Sequence, residues 1–380
     1  MRIMPTRYRA LAQTLEGLKE TGTDLIASNN GNIAPCVTHD DLGSYLYIPK
    51  LAKWFNLTLD QSINVFYLSL ITLAFILSIT GFFLLFRNRL SRIISMIGVI
   101  AVSMFSYLVG DVYIAYSFAI LSIVPLLLYI VLNDRFKILL YSSVLIGLVL
   151  GFSNTVRSVS GSIVFIFVIL IVLFYYPKNK IYKAGIIGLI ILGIMIPRFH
   201  LKYKVKKRDI YLTTQIINYK PAPAQHVFWH SIYLGFGYLS NDYGIRYDDN
   251  IAKEKANKID STARYTYPEY ETIIKSETIK LIKRDPKLII ETLMAKFGVI
   301  FVVFLLCSNL GFVVFFYRKR IRPIENSLFV LIIASSSFSF MVVPHQSYLI
   351  CLITASVVYG IYSIGIFLQQ RQISREKLPK

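Results

Sequence analysis

Apolar runs of about 17–24 residues, each closed by a short polar break, set the rhythm of this chain, and that length matches the roughly 30 Å of hydrocarbon a helix must cross. The runs fall at 64–86, 93–109, 111–132, 136–154, 160–176, 182–197, 294–316, 327–343 and 346–368. Each must satisfy its own backbone hydrogen bonds in lipid, so each is predicted to be a helix. The expected fold is therefore an all-α polytopic membrane protein of about nine transmembrane helices. A long polar interval at 198–293 predicts one soluble, mainly helical insert. The remaining divisions are an N-terminal segment at 1–63, helices at 64–197 and 294–368, and a basic tail at 369–380.

Charge in the short connections sets the orientation. The breaks "RNRLSR" (87–92), "NDRFK" (133–137), "PKNKIYK" (177–183), "YRKRIRP" (317–323) and the tail carry sixteen lysines and arginines, whereas "GD", "RSV" and "PHQ" carry only Arg157. Basic short loops stay cytoplasmic. Residues 1–63, Asp111, Arg157, the insert and His345 are then expected to share the outer face. The insert opens on the basic run "RFHLKYKVKKRD", but long loops are largely exempt from the rule.

Composition adds one exclusion. The chain has 41 Lys and Arg against 21 Asp and Glu, a net charge of +20 and a mean hydropathy of +0.56. In a chain this apolar the basic balance belongs to the loops, so no nucleic-acid partner is expected. Cys36, Cys307 and Cys351 are too scattered for a disulfide framework or a metal motif. Abundant Ile, Lys, Asn and Tyr suit an AT-rich bacterial genome, hence a bacterial inner-membrane location with the active face outward.

Candidate chemistry clusters at the predicted outer face. In "THDDLGSYLYIPKLAKWF", Leu42, Tyr45, Leu46, Ile48, Leu51, Ala52 and Phe55 recur at helical spacing, which predicts an amphipathic surface helix. Asp40 or Asp41 would stand at its N-terminus, where an acid caps well. Asp111 opens a span, a depth at which a carboxylate needs water, a cation or a donor. Arg157 sits among hydroxyls in "GFSNTVRSVSGS", a setting suited to bidentate phosphate binding. His226 and His230 share a helical face at metal-ligand spacing, although Pro221 and Pro223 oppose a long helix and no third ligand is evident, so no metal site is assigned. Trp229 and its neighbouring tyrosines are candidates for sugar stacking, or for an interfacial belt. "TYPEYETIIKSETIKLIKRDPKLIIETLMAKFG" predicts two amphipathic helices broken at Asp285-Pro286. His345, Gln346 and Tyr348 gather where the last span begins.

The acid pair leading into an amphipathic helix, the second acid in "GDVYIAYSFAIL", the basic residue in "NTVRSVSG" and the tyrosine in "HQSYLICL" together resemble the GT-C class of polyprenyl-phosphate-sugar-dependent glycosyltransferases. That class includes protein O-mannosyltransferases and bacterial transferases that decorate lipid A with aminoarabinose. The resemblance covers the layout of most of the chain, with motifs that are individually short. It implies that Asp40 or Asp41 acts as base or positions the acceptor, that Asp111 is the second catalytic acid, and that Arg157 grips the lipid phosphate. His226, Trp229, His230, His345 and Tyr348 complete the expected substrate-binding set. The partners would be a polyprenyl-phosphate-linked sugar and a glycan, lipid or protein acceptor, with the need for a divalent cation left open. The family's first transmembrane helix has no counterpart ahead of residue 64, which leads to the expectation that a helix is missing upstream. Competing readings are a transporter or flippase, a polysaccharide polymerase or ligase, and an inactive truncated transferase.

Overall fold

The computed structural model describes residues 3–36, 41–176, 179–221, 227–265 and 267–376. The protein is an all-α, polytopic membrane protein, and among the described residues eight helices are long and apolar enough to cross a bilayer. They are α3 (Leu59–Leu85), α4 (Arg89–Val109), α5 (Ile114–Leu132) with the single 3-10 turn at Asp111–Tyr113 before it, α6 (Phe136–Val156), α8 (Lys180–Gln215), α12 (Pro286–Ser308), α14 (Arg322–Met341) and α15 (Gln346–Glu376). The ninth predicted span, at 160–176, forms α7 (Ser160–Tyr175). At 16 residues it is shorter than the other eight.

Packing follows from where the small residues lie. Along α4 the buried positions Ser91, Ser95, Val99, Val102 and Ser106 recur every three or four residues, while Ile97, Met104 and Leu108 face outward. This is the inverse of a soluble helix: lipid takes the large apolar side chains, and small side chains let helices approach. Helices α5 and α15 are almost wholly buried and form the centre of the bundle. They are tied by a hydroxyl chain running from Ser106 Oγ to Ser117 Oγ at 2.7 Å and on to Thr354 Oγ1 at 2.8 Å. Helices α6 and α8 meet through Gly147, Gly151 and Gly193. A Cβ at Gly147 would strike the Ile190 carbonyl, and one at Gly151 would stand 2.6 Å from the Ile194 carbonyl.

Three segments differ from the sequence expectation. Residues in the N-terminal stretch form α1 (Pro5–Thr21), begun by a proline whose missing N–H costs nothing at a first helical turn. A short antiparallel hairpin follows, β1 (Ile26–Asn29) with β2 (Asn32–Pro35). The predicted span at 182–197 does not stop at the membrane. Helix α8 runs 36 residues, about 54 Å at 1.5 Å per residue, so the basic run 198–209 continues the span instead of opening a separate insert. Lys204 on that extension reaches Asp24 at 3.0 Å, as does Lys50 from α2 (Leu42–Phe55). The third is the span expected at 294–316: α12 begins earlier, at Pro286, and breaks at Asn309 before the short α13 (Leu310–Val314).

The insert proper contributes α9 (Phe228–Gly235), α10 (Asp249–Ile259) and α11 (Pro268–Arg284) around a small core of its own that includes Leu234, Ala252, Ala256, Tyr270 and Ile274. The expected break at Asp285-Pro286 is present, and Asp285 caps α12 by accepting from Leu288 N at 2.9 Å. Helix α9 seats on the end of α14 at Gly235, where a Cβ would crowd the carbonyls of Met341 and Val342. The wholly buried Lys296 donates to the Phe340 carbonyl at 3.3 Å beside it.

The close approach of α6 and α8 generates a stability prediction. Gly147→Val is expected to lower the melting temperature in detergent, with a loss of about 2 kcal/mol or more from overpacking. Gly185→Ala, where nothing lies within 4 Å of the added atom, is expected to leave it unchanged. Equal melting temperatures for the two variants would contradict the α6–α8 contact.

Candidate functional site

Two turns and the starts of α1 and α2 converge on one end of the bundle. Helix α4 ends at Gly110, which caps the Ser106 carbonyl, and both Gly110 and Asp111 have positive φ, 68° and 60°. Aspartate tolerates that left-handed conformation better than most residues. The turn reverses the chain at once and leaves the Asp111 carboxylate pointing back over the bundle, where Val112 N donates to Oδ1 at 2.8 Å. At the next turn Asn154 Oδ1 accepts from Gly161 N and Ser162 N at 2.8 and 3.1 Å, clamping the α6–α7 hairpin. Val159 is forced to φ 71°, a costly conformation for a β-branched residue. The hydroxyls that surround Arg157 in sequence are engaged locally: Ser153, Thr155 and Ser160 all donate to backbone carbonyls.

Helix α2 completes the cluster. Gly43 lets it lie against α6 so closely that a Cβ would stand 2.6 Å from the Thr155 carbonyl. Asp41 occupies the N-cap position but makes no cap hydrogen bond; the capping role expected for it is not observed. Its carboxylate is drawn instead to two cations, Arg157 Nη1 at 3.1 Å on Oδ1 and Arg7 Nη2 at 2.7 Å on Oδ2. Arg7 Nη1 also pairs with Asp111 Oδ2, so one guanidinium bridges two carboxylates with its fork. All four side chains are nearly buried, with 3–12% of each exposed. Burial opposes the charge on Arg7, yet Asp41 and Asp111 outweigh it and hold its pKa above the ordinary guanidinium value.

Arg7 had no visible role in the sequence. Its one signal was a place in a short helical stretch whose other face, Leu11, Leu15 and Leu18, is apolar. Tyr113 and Asp249 also went unassigned, whereas Tyr247 is among the tyrosines near Trp229 that are candidates for sugar stacking. Arg157 stacks over the Tyr113 ring at 5.1 Å, Tyr113 meets Tyr348 edge-on at 5.7 Å, and the Tyr348 and Tyr247 hydroxyls bond at 2.9 Å, joining the spans to the insert. These residues, with His230, Asp249 and Phe338, line a cavity of about 250 Å³ between bundle and insert. A neighbouring cavity of about 160 Å³ is lined by Asp111, Tyr113 and His345.

The predicted residues thus separate into groups. Arg157 meets Asp41 directly, and Arg7 links Asp41 to Asp111; Tyr348 and His230 join Arg157 around the larger cavity, and His345 borders the smaller one with Asp111. Trp229 does not line the larger cavity: it packs against Phe228, Lys275 and the core of the insert, while its backbone N–H binds Glu271 at 2.9 Å. Asp40 and His226 lie outside the described residues. His230 is no free metal ligand, because Nδ1 meets the Tyr270 hydroxyl at 2.6 Å and Nε2 meets Asp249 at 3.1 Å. Among the described residues no three His, Cys, Asp or Glu side chains converge as a metal set. Both oxygens of Asp41 are taken up by arginines, and those of Asp111 by Arg7 and Val112 N, so these residues do not fit a divalent cation.

Fold and site define a class at the level the geometry permits: a multi-pass helical membrane protein with a buried, neutralised charge cluster beside an aromatic cavity at one end. Comparison with family models, curated proteins and solved structures gave no match.

The bridging geometry of Arg7 makes a coupled prediction. Arg7→Ala leaves two buried carboxylates with a single cation and is expected to cost about 3–5 kcal/mol. Combining it with Asp111→Asn is expected to cost clearly less than the sum of the two single changes, as for residues in one network. Strictly additive losses in detergent unfolding experiments would contradict the bridge.

Proposed function

We propose that this protein is an integral-membrane glycosyltransferase that moves a sugar from a polyprenyl-phosphate carrier to a glycan, lipid or protein acceptor. The observation that supports this reading most is the network in which Arg7 joins Asp111 to Asp41 and Asp41 holds Arg157, from segments far apart in sequence, beside a cavity walled by tyrosines. The chemistry needs a cation at lipid-phosphate depth, a polar chamber for a sugar and access for an acceptor. Arg157 supplies the cation; its Nε is buried and meets no acceptor among the described residues. Tyr113, Tyr247 and Tyr348 supply rings and hydroxyls of the kind sugars stack and bond on.

The roles divide by what each group already touches. A donor phosphodiester carries one negative charge, and the phosphate released by transfer carries more, so a fixed guanidinium favours the departing group over the bound donor. Asp41 keeps Arg157 charged and aimed, while Arg7 bridges Asp41 to Asp111. The resemblance assigns base catalysis to the first-loop acid. For Asp41 to accept a proton here, one of its arginines would first have to withdraw.

Orientation supports an outward active face. Among the described residues, the basic loop after α3 and the one before α14 lie at the end of the bundle away from Asp41, where Asn88 meets Gln372 and Lys319 meets Gln370. Such loops stay in the cytoplasm. In a bacterium this directs the cavity out of the inner membrane.

The test is donor consumption by the native chain in lipid nanodiscs, using a panel of undecaprenyl-phosphate-linked hexoses and pentoses. Arg157→Lys preserves the charge that Asp41 needs but loses the planar fork, and is expected to raise the apparent donor KM by about tenfold or more, with a smaller effect from acceptor concentration. An unchanged donor KM removes Arg157 from the phosphate site. No consumption of any donor by the native chain overturns the transferase reading.

A further inference from the structure

We infer that Asp249, on the insert, is the carboxylate that takes the proton from the acceptor hydroxyl. The inference rests on the transfer reaction proposed above and gives its cavity an acceptor side. Among the charged residues that line the larger cavity, Arg157 stands on the bundle wall and Asp249 on the insert wall. Asp41 does not line it, and both its oxygens are held by arginines. Asp111 lines the smaller cavity and not the larger, with one oxygen on Arg7 and the other on Val112 N.

Asp249 is differently placed. Its side chain is 65% exposed, one oxygen meets His230 Nε2 at 3.1 Å, and Oδ2 makes no hydrogen bond or ion pair among the described residues. His230 is itself fixed: its ring is 96% covered, its backbone N–H binds Glu271, and the Tyr270 hydroxyl lies 2.6 Å from Nδ1. An ionised carboxylate only accepts, so Nε2–H of His230 donates to Asp249 while Nδ1 is held by the Tyr270 hydroxyl. That hydrogen bond, ahead of the opposing effect of burial, holds the Asp249 carboxyl below its ordinary pKa and keeps it ionised at neutral pH. It also turns the unpartnered oxygen toward a fixed place. Tyr270, His230 and Asp249 come from two helices and the helix between them, all packed on the insert's small core, so the carboxylate sits on a rigid support.

The step balances without another reactant. The acceptor oxygen forms a bond to the sugar's anomeric carbon as its proton passes to Asp249 Oδ2. The bond from that carbon to the phosphate oxygen breaks, its electron pair leaves with the polyprenyl phosphate, and Arg157 faces the added charge. Asp249 then loses the proton to water through its exposed edge.

The experiment uses the full chain in nanodiscs, with the undecaprenyl-phosphate-linked donor panel and an extract of envelope lipids and glycans as acceptor. Release of undecaprenyl phosphate and direct binding of undecaprenyl phosphate are measured for native protein, Asp249→Asn and Asp249→Glu. Asp249→Asn, a change at an exposed side chain, is expected to slow release by about 100-fold or more while binding stays within about twofold, and Asp249→Glu is expected to recover part of the rate. Release by Asp249→Asn within about threefold of native overturns the base assignment and leaves the transferase reading standing. Equal losses of binding and release overturn it too, because Asp249 would then only shape the cavity. No release by the native chain removes the reading and the inference together.

Discussion

A guanidinium held between two buried carboxylates is the constraint around which this structure is arranged. At the edge of a bilayer an isolated charge costs several kcal/mol, so Asp41 and Asp111 can be buried only if cations come to them. Arg7 reaches both, and Arg157 completes the neutralisation of Asp41. The pairing requires α1, α2, the α4–α5 turn and the α6–α7 turn to meet at one point. The tight turn at Gly110 and Asp111, the absent side chain of Gly43 and the strained Val159 are the local features that allow it.

The rest of the bundle keeps that point rigid. Helices α5 and α15 form the buried centre and carry Tyr113 and Tyr348 to the cavity wall, while the hydroxyl chain through Ser106, Ser117 and Thr354 fixes their register. On the far side of the cavity the insert brings its own core and seats on α14 through Gly235. Two supports that fold around separate cores therefore face each other across about 250 Å³. The bundle presents a cation and the insert presents an unpaired carboxylate oxygen, the division of charge that transfer from an anionic leaving group to a hydroxyl requires.

Much of this was legible in the sequence because lipid imposes simple rules. Span lengths and the charge of the short loops foretold the helices and the common end at which Asp41, Asp111, Arg157, Tyr348 and His345 lie. What could not be read depended on tertiary contact. Arg7 lies in a helix without a motif, and only the fold carries it to residues more than thirty and a hundred positions away. The N-cap expected of Asp41 lost to two arginines, since an ion pair at low dielectric outweighs a backbone cap. Helix α8 outran its apolar run, with Lys204 on the extension pairing Asp24, because hydropathy registers only where lipid ends and not where a helix stops. Asp249 stood inconspicuous in "YDDNIAKEKA", since its contact with His230 joins two helices of the insert.

The central claim is that the cavity beside the bridged acids holds a lipid phosphate. The most direct measurement is a structure of the chain in nanodiscs saturated with undecaprenyl phosphate. The account predicts phosphate density within hydrogen-bond reach of the Arg157 guanidinium, with the first isoprene units leaving the cavity toward lipid. Phosphate density at the opposite, basic end of the bundle, among Arg87, Arg89 and Lys319, with the Arg157 cavity unchanged, would contradict it.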